Sequence, residues 1–307
     1  MSATIHEAER RLRDGLRGRV ERGWPLAACT TYRIGGAAEL ALFPQDVEQV
    51  AAAAQLLGEL GLPWVVLGGG SNVLVSDRGV RGAVMLTTEL SRLSVEGTRL
   101  TAGAGADSHQ VAVAACEAGL TGAEFLSWLP GSIGGACLMN ARAHGGEVSG
   151  VLRRAVTVDR QGRVQGEAVT PDQFRYKQSP FSARQLIVAE VTLELAPGDR
   201  SQVQRSMDRI EAARRANHEM DFPSCGCVFK NDYDIGVSSG QLIDECGLKG
   251  YTVGGACVSP YHANFVINRG DATARDVRAV IDHVQRAVAA ATGLTLELEV
   301  QLLGQWD

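Results

Sequence analysis

The glycine run of GGGSNVLV (68–75) constrains this chain more than any other feature. It follows Trp64-Val65-Val66-Leu67, an apolar run rich in aromatic and β-branched residues that reads as a buried strand. Gly68, Gly69 and Gly70 permit positive φ and leave backbone N–H groups bare of side chains, which makes a cradle for phosphate or pyrophosphate. Ser71 and Asn72 add side-chain donors. A second loop of this kind, PGSIGGACLMN (130–140), supplies Pro130, Gly131, Ser132, Gly134, Gly135 and Asn140. One such loop is an ordinary turn of an α/β protein. Two in one half of the chain point to a dinucleotide cofactor.

At 307 residues the chain can hold more than one domain with a core of its own. A formal charge of −5 argues against a nucleic-acid binder, which carries a basic excess. No apolar run approaches the roughly 20 residues that span a bilayer. The opening MSATIHEAERRLRDGL is charged and helical in pattern rather than a signal peptide, so the expected setting is the cytoplasm. The seven cysteines (29, 116, 137, 225, 227, 246 and 257) are odd in number and scattered, which does not suggest a disulfide framework. Cys225 and Cys227 have no second Cys/His pair at zinc spacing, so no metal site is expected.

Periodicity outlines the elements. Residues 45–60 carry a helical stripe that stops at Gly61 with Pro63 beyond. Residues 106–119 read as a helix capped by Asp107, and 200–216 as a linking helix. Gly103-Ala104-Gly105 imitates a dinucleotide fingerprint between strand and helix, but Ser108 holds the third glycine's place, so it reads as a plain turn. Residues 151–195 look β-rich, with a hairpin turn near Gln161-Gly162 and a strand over 186–195. From about residue 217 the pattern becomes a compact α+β unit with a long helix over 274–293. Its last strand, expected over 295–303, sends Leu296, Leu298, Val300 and Leu302 one way and Glu297, Glu299 and Gln301 the other.

Three segments hold side chains suited to chemistry. FRYKQSPF (174–181) combines the Tyr176 hydroxyl with the Lys177 cation, though an exposed strand edge would look the same. PSCGCVFKN (223–231) forms a tight turn that would present Cys227 beside Lys230 and Asn231, where a cation and turn N–H groups favour thiolate; a small buried thiol is the plainer reading. In LELEV (296–300) a glutamate sits between inward apolar residues, as a solvated strand face also would.

Taken in order with the glycine loops, these segments resemble the UDP-N-acetylenolpyruvoylglucosamine reductase (MurB) family, flavoenzymes of cell-wall precursor synthesis. The resemblance runs from TTYRIGGAAEL (30–40) through both loops and the three segments, and also takes in GQLIDECGLKG (240–250) and VSPYHANFVIN (258–268). It implies an α+β fold: an FAD-binding domain of the vanillyl-alcohol-oxidase (PCMH) type, in two subdomains, with a C-terminal α+β substrate-binding domain. The boundaries expected are a helical segment 1–28, the FAD-binding domain 29–200 and the substrate domain 201–307. The short spacing from Tyr176 to Cys227 looks like the compact subclass without an extra substrate-covering loop.

The chemistry so implied is reduction of UDP-N-acetylglucosamine enolpyruvate to UDP-N-acetylmuramate by NADPH through noncovalent FAD, in a monomer. Hydride goes to C3 of the enolpyruvyl group and a proton to C2. The two loops would hold FAD. By motif position Lys177 stabilises the charge developing on the substrate carboxylate, Cys227 donates the proton, and Glu299 is the remaining catalytic carboxyl. Tyr176, Arg215, Asn231 and His262 match substrate contacts, although Arg214-Arg215 also reads as a solvated helix face. The family usually has Arg at Lys177, whose planar bidentate grip lysine lacks, and neighbouring Arg175 is an alternative cation. It often has Ser at Cys227, and a thiol of ordinary pKa about 8.5 is the better acid. Two other readings share the scaffold: an FAD oxidase of alcohols or sugars, and a noncatalytic FAD-binding relative.

Overall fold

The computed structural model of the chain describes residues 2–218, 220–232 and 236–306. They fall into two compact units, one formed by Met1–Trp24, Glu39–Gly69 and Gly82–Ala212, the other by Pro25–Ala38, Gly70–Arg81 and Ala213–Asp307. Residues 25–38 and 70–81 therefore belong with the C-terminal part of the chain, whereas the boundaries expected from the sequence assign 25–28 to the N-terminal segment and 29–38 and 70–81 to the span 29–200.

The first unit is built on two sheets. In the four-stranded one the order is Arg19–Pro25, Ala37–Phe43, Val80–Leu86, Trp64–Leu67, the last two parallel. The helix Val47–Glu59 buries Val50, Ala54 and Leu57 of the stripe its sequence shows, together with Ala53, while Val47 and Ala51 of that stripe are half-buried. In the helix Ser2–Gly15, Ile5, Ala8 and Leu12 recur at helical spacing and are buried in the same core as that stripe. Asp46 caps the helix Val47–Glu59 by accepting from Gln49 N–H at 2.9 Å, and its carboxylate also pairs with Arg17. Burial pushes the Asp46 carboxyl up, but the Gln49 backbone and amide donors and Arg17 outweigh it and hold it below the usual range. A depressed carboxyl stabilises the fold above the unfolded value of about 4 and loses that contribution as pH falls. Asp46→Ala is expected to cost about 1 kcal/mol at pH 7, as for other N-caps. Chemical denaturation should show that the gap to wild type closes below pH 4.

The second sheet of this unit is antiparallel throughout, in the order Val164–Ala168, Leu152–Val158, Ile187–Glu194, Arg99–Gly103, Leu93–Glu96. Asp159 makes the hairpin turn expected at Gln161-Gly162, accepting from the N–H groups of Gln161 and Arg163, each at 2.9 Å. Helices Ser108–Glu117 and Ile133–Leu138 share a core with this sheet, placing Val111, Ala115 and Ile133 with Leu100, Val191 and Leu193. Because Arg99–Gly103 has only antiparallel neighbours, Gly103-Ala104-Gly105 cannot open a parallel βαβ unit. Gly103 and Gly105 instead let the backbone of Thr87–Leu90 approach where a Cβ would collide with it.

The second unit centres on a three-stranded antiparallel sheet, Thr252–Val253, Ala256–Val258 and Val266–Asn268, and the helix Ala274–Thr292. That helix buries Val277, Val280, Ile281, Val284 and Val288 and ends on Gly293 in the left-handed conformation, φ 74°. The last segment departs from the expected single strand. Leu298 pairs with Phe229 in an isolated antiparallel bridge, and only Gln301–Leu303 forms a strand, parallel to Val73–Val75. Its alternation survives the change of partners: Leu296 and Val300 are buried, and Glu297 is exposed. No helix among the described residues is long and apolar enough to cross a membrane.

Candidate active site

In the first unit the two glycine loops meet backbone to backbone. A Cβ on Gly69 would lie 2.5 Å from Gly131 Cα, and one on Gly68 would lie 2.5 Å from Ser132 Oγ. Gly69 donates its N–H to Ser132 Oγ at 3.2 Å. Ser108 fixes the far side of the contact, since its N–H and hydroxyl both bond the Gly131 carbonyl, at 3.0 and 3.1 Å. Gly134 lies against Ala104, where a Cβ would come within 2.5 Å of the Ala104 Cβ, and it opens the way for the helix Ile133–Leu138. Gly135 follows it in that helix, and Pro130 is exposed at the loop's start. Glycine on both loops thus lets their main chains approach each other closely.

The same loop reaches the segment that carries Lys177. Asn140 is 4 % exposed and fully committed: its Nδ2 donates to the Arg175 carbonyl at 3.3 Å and its Oδ1 accepts from Ser149 N–H at 3.0 Å. Ser179 Oγ donates to the Leu138 carbonyl at 2.7 Å. Between these anchors Arg175 and Gln178 exchange both backbone hydrogen bonds at 3.1 Å, leaving Tyr176 and Lys177 as the two residues of a tight hairpin tip. Lys177 has φ 57°, a conformation that costs a non-glycine residue on the order of 1–3 kcal/mol. Its Nζ lies 5.7 Å from the centre of the Tyr176 ring. The Arg175 guanidinium is turned back on its own turn, where Nη1 donates to the carbonyls of Asp172 at 2.6 Å and Phe174 at 2.8 Å.

In the second unit non-local pairing brings Cys227 and Glu299 into adjoining register. Glu299 donates its N–H to the Val228 carbonyl at 2.8 Å, and Lys230 donates its N–H to the Glu297 carbonyl at 2.9 Å. Cys227 itself bridges Phe265 and packs against Cys257, Phe265 and Ile267. Asn264 holds this ladder. Its side chain accepts from Phe229 N–H at 2.9 Å and donates to Phe229 C=O at 2.8 Å, satisfying both backbone groups of a fully buried residue. Asn72 Nδ2 donates to the Glu299 carbonyl at 2.9 Å, so the asparagine of the first glycine run anchors the segment that bears the glutamate. Glu297 is the exposed carboxylate and pairs with Lys230, which directs that cation to the solvated glutamate rather than to Cys227 as its sequence neighbourhood implied.

The remaining residues named from the sequence are placed as follows. Gly70 has φ 63° and packs against the backbone of Cys29 and Thr30, while its carbonyl accepts from Thr31 N–H at 3.1 Å. Ser71 is half-buried. Asn231 Oδ1 accepts from Ser239 N–H at 3.0 Å, at the start of the helix Ser239–Glu245. His262 Nδ1 accepts from Asn264 N–H at 3.3 Å, and its ring lies 4.5 Å from that of Phe265. Arg215 is exposed in the last turn of the helix Arg200–Ala216.

Beneath this ladder Cys225 is buried, and burial pushes its thiol up to about 12, with nearby Cys227 and Glu299 adding to the rise. The fully buried Tyr32 hydroxyl lies against it with no hydrogen bond of good geometry, and burial raises it well above the usual tyrosine value. Groups raised in the fold stabilise it below their unfolded values and lose that contribution as pH rises toward the folded ones. The melting temperature should therefore fall from pH 9 upward, and Cys225→Ala should flatten the part of that slope below pH 10. A thermal-shift series from pH 8 to 11 checks it.

These arrangements have counterparts in known proteins. Residues 218–303 match the family model "UDP-N-acetylenolpyruvoylglucosamine reductase, C-terminal domain", and residues 38–165 match that of an FAD binding domain. UDP-N-acetylenolpyruvoylglucosamine reductase of Heliobacterium modesticaldum is 42 % identical over 281 residues, 91 % of this chain and 89 % of the relative. The enzyme of that name from Pediococcus pentosaceus is 40 % identical, over 92 % of this chain and 93 % of its own. The chain belongs to the UDP-N-acetylenolpyruvoylglucosamine reductase (MurB) family. The crystal structure of the MurB of Thermus caldophilus superposes with a TM-score of 0.79 at 34 % identity, covering 93 % of this chain and 99 % of that one. The α+β fold with an FAD-binding domain expected from the sequence is thus the fold found, and FAD is the cofactor of this MurB family member.

The first unit fits that cofactor: the bare backbone of Gly68, Gly69 and Gly131 and the buried Ser132 hydroxyl are the features a pyrophosphate needs. Residues that the sequence reading missed act mainly as supports. Ser108 and Asn264 lie inside segments already singled out, ADSHQ and HANFVIN, but nothing local marks a side chain whose partner is a distant backbone group.

Proposed function

We propose that this chain reduces UDP-N-acetylglucosamine enolpyruvate to UDP-N-acetylmuramate at the expense of NADPH, in cytoplasmic peptidoglycan precursor synthesis and as a monomer. The observation that carries the reading is the pairing that sets Glu299 beside the Cys227 segment, because no ordinary FAD oxidase needs a thiol and a carboxyl held in register. We assign FAD to the first unit, through Gly68, Gly69, Gly131 and Ser132, and the UDP-sugar largely to the second. When bound, FAD would supply the two-electron redox chemistry that carries reducing equivalents from NADPH to C3 of the enolpyruvyl group.

The protein handles charge and protons. Negative charge develops at C2 and spreads into the adjoining carboxylate, and the Lys177 ammonium, presented at a two-residue hairpin tip, offsets it. Cys227 Sγ–H delivers the proton to C2. Glu299 polarises the same centre from the neighbouring segment, with its main chain fixed by Val228 and Asn72. Tyr176, Arg215, Asn231 and His262 orient the nucleotide sugar.

The test follows NADPH consumption at 340 nm without oxygen. Consumption that depends on the enolpyruvyl sugar, with a product two hydrogens heavier by mass spectrometry, is expected. Consumption only when oxygen is admitted would instead make the chain an oxidase on the same scaffold.

A further inference from the structure

Trp128 stands two residues before the second glycine loop with φ 56°, a backbone conformation that glycine adopts freely and a bulky side chain rarely does. Deep burial does not account for it, because the residue is only half-buried. His109 backs the indole at a ring-centroid distance of 4.7 Å and an interplanar angle of 33°, and His109 Nδ1 accepts the Trp128 N–H at 3.3 Å. His109 directly follows Ser108, whose N–H and hydroxyl grip the Gly131 carbonyl. The aromatic pair and the glycine loop are thus fixed to each other through one serine.

We propose that Trp128, steadied by His109, is an aromatic platform for a flat heteroaromatic ring of FAD. The inference rests on the cofactor assignment to the first unit and extends it from phosphate to ring. A tryptophan kept where glycine would be unstrained calls for a gain made only in the complex, and a π-face beside the phosphate loop offers one through ring stacking. The GAGADSH segment, which imitates a dinucleotide fingerprint without being one, then acts by holding this platform and the Gly131 loop together.

The test uses purified holoenzyme in wild-type form and as Trp128→Gly, Trp128→Phe and Trp128→Leu, comparing FAD dissociation constants, flavin emission and melting temperature at saturating FAD. Trp128→Gly is expected to bind FAD about 3- to 10-fold more weakly while melting no lower than wild type, because it relieves the backbone. Trp128→Phe should stay near wild type in affinity, and Trp128→Leu should weaken as the glycine variant does. Brighter flavin emission in the Gly and Leu variants would place the isoalloxazine on the platform, and unchanged emission with weaker binding the adenine. Undiminished affinity in both Gly and Leu variants would overturn the proposal, as would a fall in melting temperature with affinity unchanged. Wild-type protein that binds no FAD would instead overturn the cofactor assignment itself.

Discussion

Replacing Cys227 with alanine is expected to lower turnover by about 100- to 10,000-fold, the range over which a positioned proton donor contributes. The loss should fall on one half-reaction. NADPH should bleach the flavin of Cys227→Ala as fast as that of wild type, because the thiol's proton is needed only at C2 of the enolpyruvyl group, in the second half-reaction. Return of the yellow colour with the enolpyruvyl sugar should become slow. Cys227→Ser should recover much of the activity, since a hydroxyl donates a proton from the same atom position. Stopped-flow absorbance on the two half-reactions checks this, and equal slowing of both would show that Cys227 supports the fold instead. Asn264 guards against that confusion: it ties the main chain at Phe229 and owes nothing to the Cys227 side chain, so the ladder should survive the substitution.

The second large effect is expected at Lys177. Lys177→Met should cost about 100- to 1,000-fold in turnover, as removal of one group that stabilises a developing oxyanion does. Lys177→Arg should remain within about tenfold of wild type, because the charge is kept and a guanidinium grips a carboxylate well. Arg175 should not compensate for the methionine variant, because its guanidinium is turned back on its own turn, with Nη1 donating to the carbonyls of Asp172 and Phe174. Arg175→Ala should accordingly leave the chemical step nearly unchanged. A reversed ranking, with Arg175→Ala inactive and Lys177→Met active, would move the cationic role one turn of the hairpin away.

What the sequence discloses is what its local physics encodes. Helical periodicity locates Val47–Glu59, Arg200–Ala216 and Ala274–Thr292 to within a few residues, since each buries one stripe. The glycine loops are legible because only glycine tolerates backbone at that distance, as the approach of Gly69 to Gly131 shows. Long-range choices are not legible in this way. The alternation of 295–303 matches the burial of Leu296 and Val300 and the exposure of Glu297 and Gln301, yet cannot tell that the partner changes from Phe229 at Leu298 to the Val73–Val75 strand at Gln301. The inclusion of 25–38 and 70–81 in the second unit carries no local signal, because three of its boundaries fall inside continuous strands. The places of Asn72 and Asn140 in the glycine loops do not tell that their amides also donate to the main chain at Glu299 and Arg175, in segments bearing the proposed catalytic groups. Trp128 is the extreme case, for nothing in a sequence announces a tryptophan with positive φ.

The decisive measurement is to reduce the purified protein with NADPH under anaerobic conditions and then add the UDP-sugar enolpyruvate. The flavin is expected to bleach, and its absorbance to return on addition of the enolpyruvyl sugar with no oxygen present. Flavin that bleaches but is reoxidised only by oxygen would contradict the proposed function.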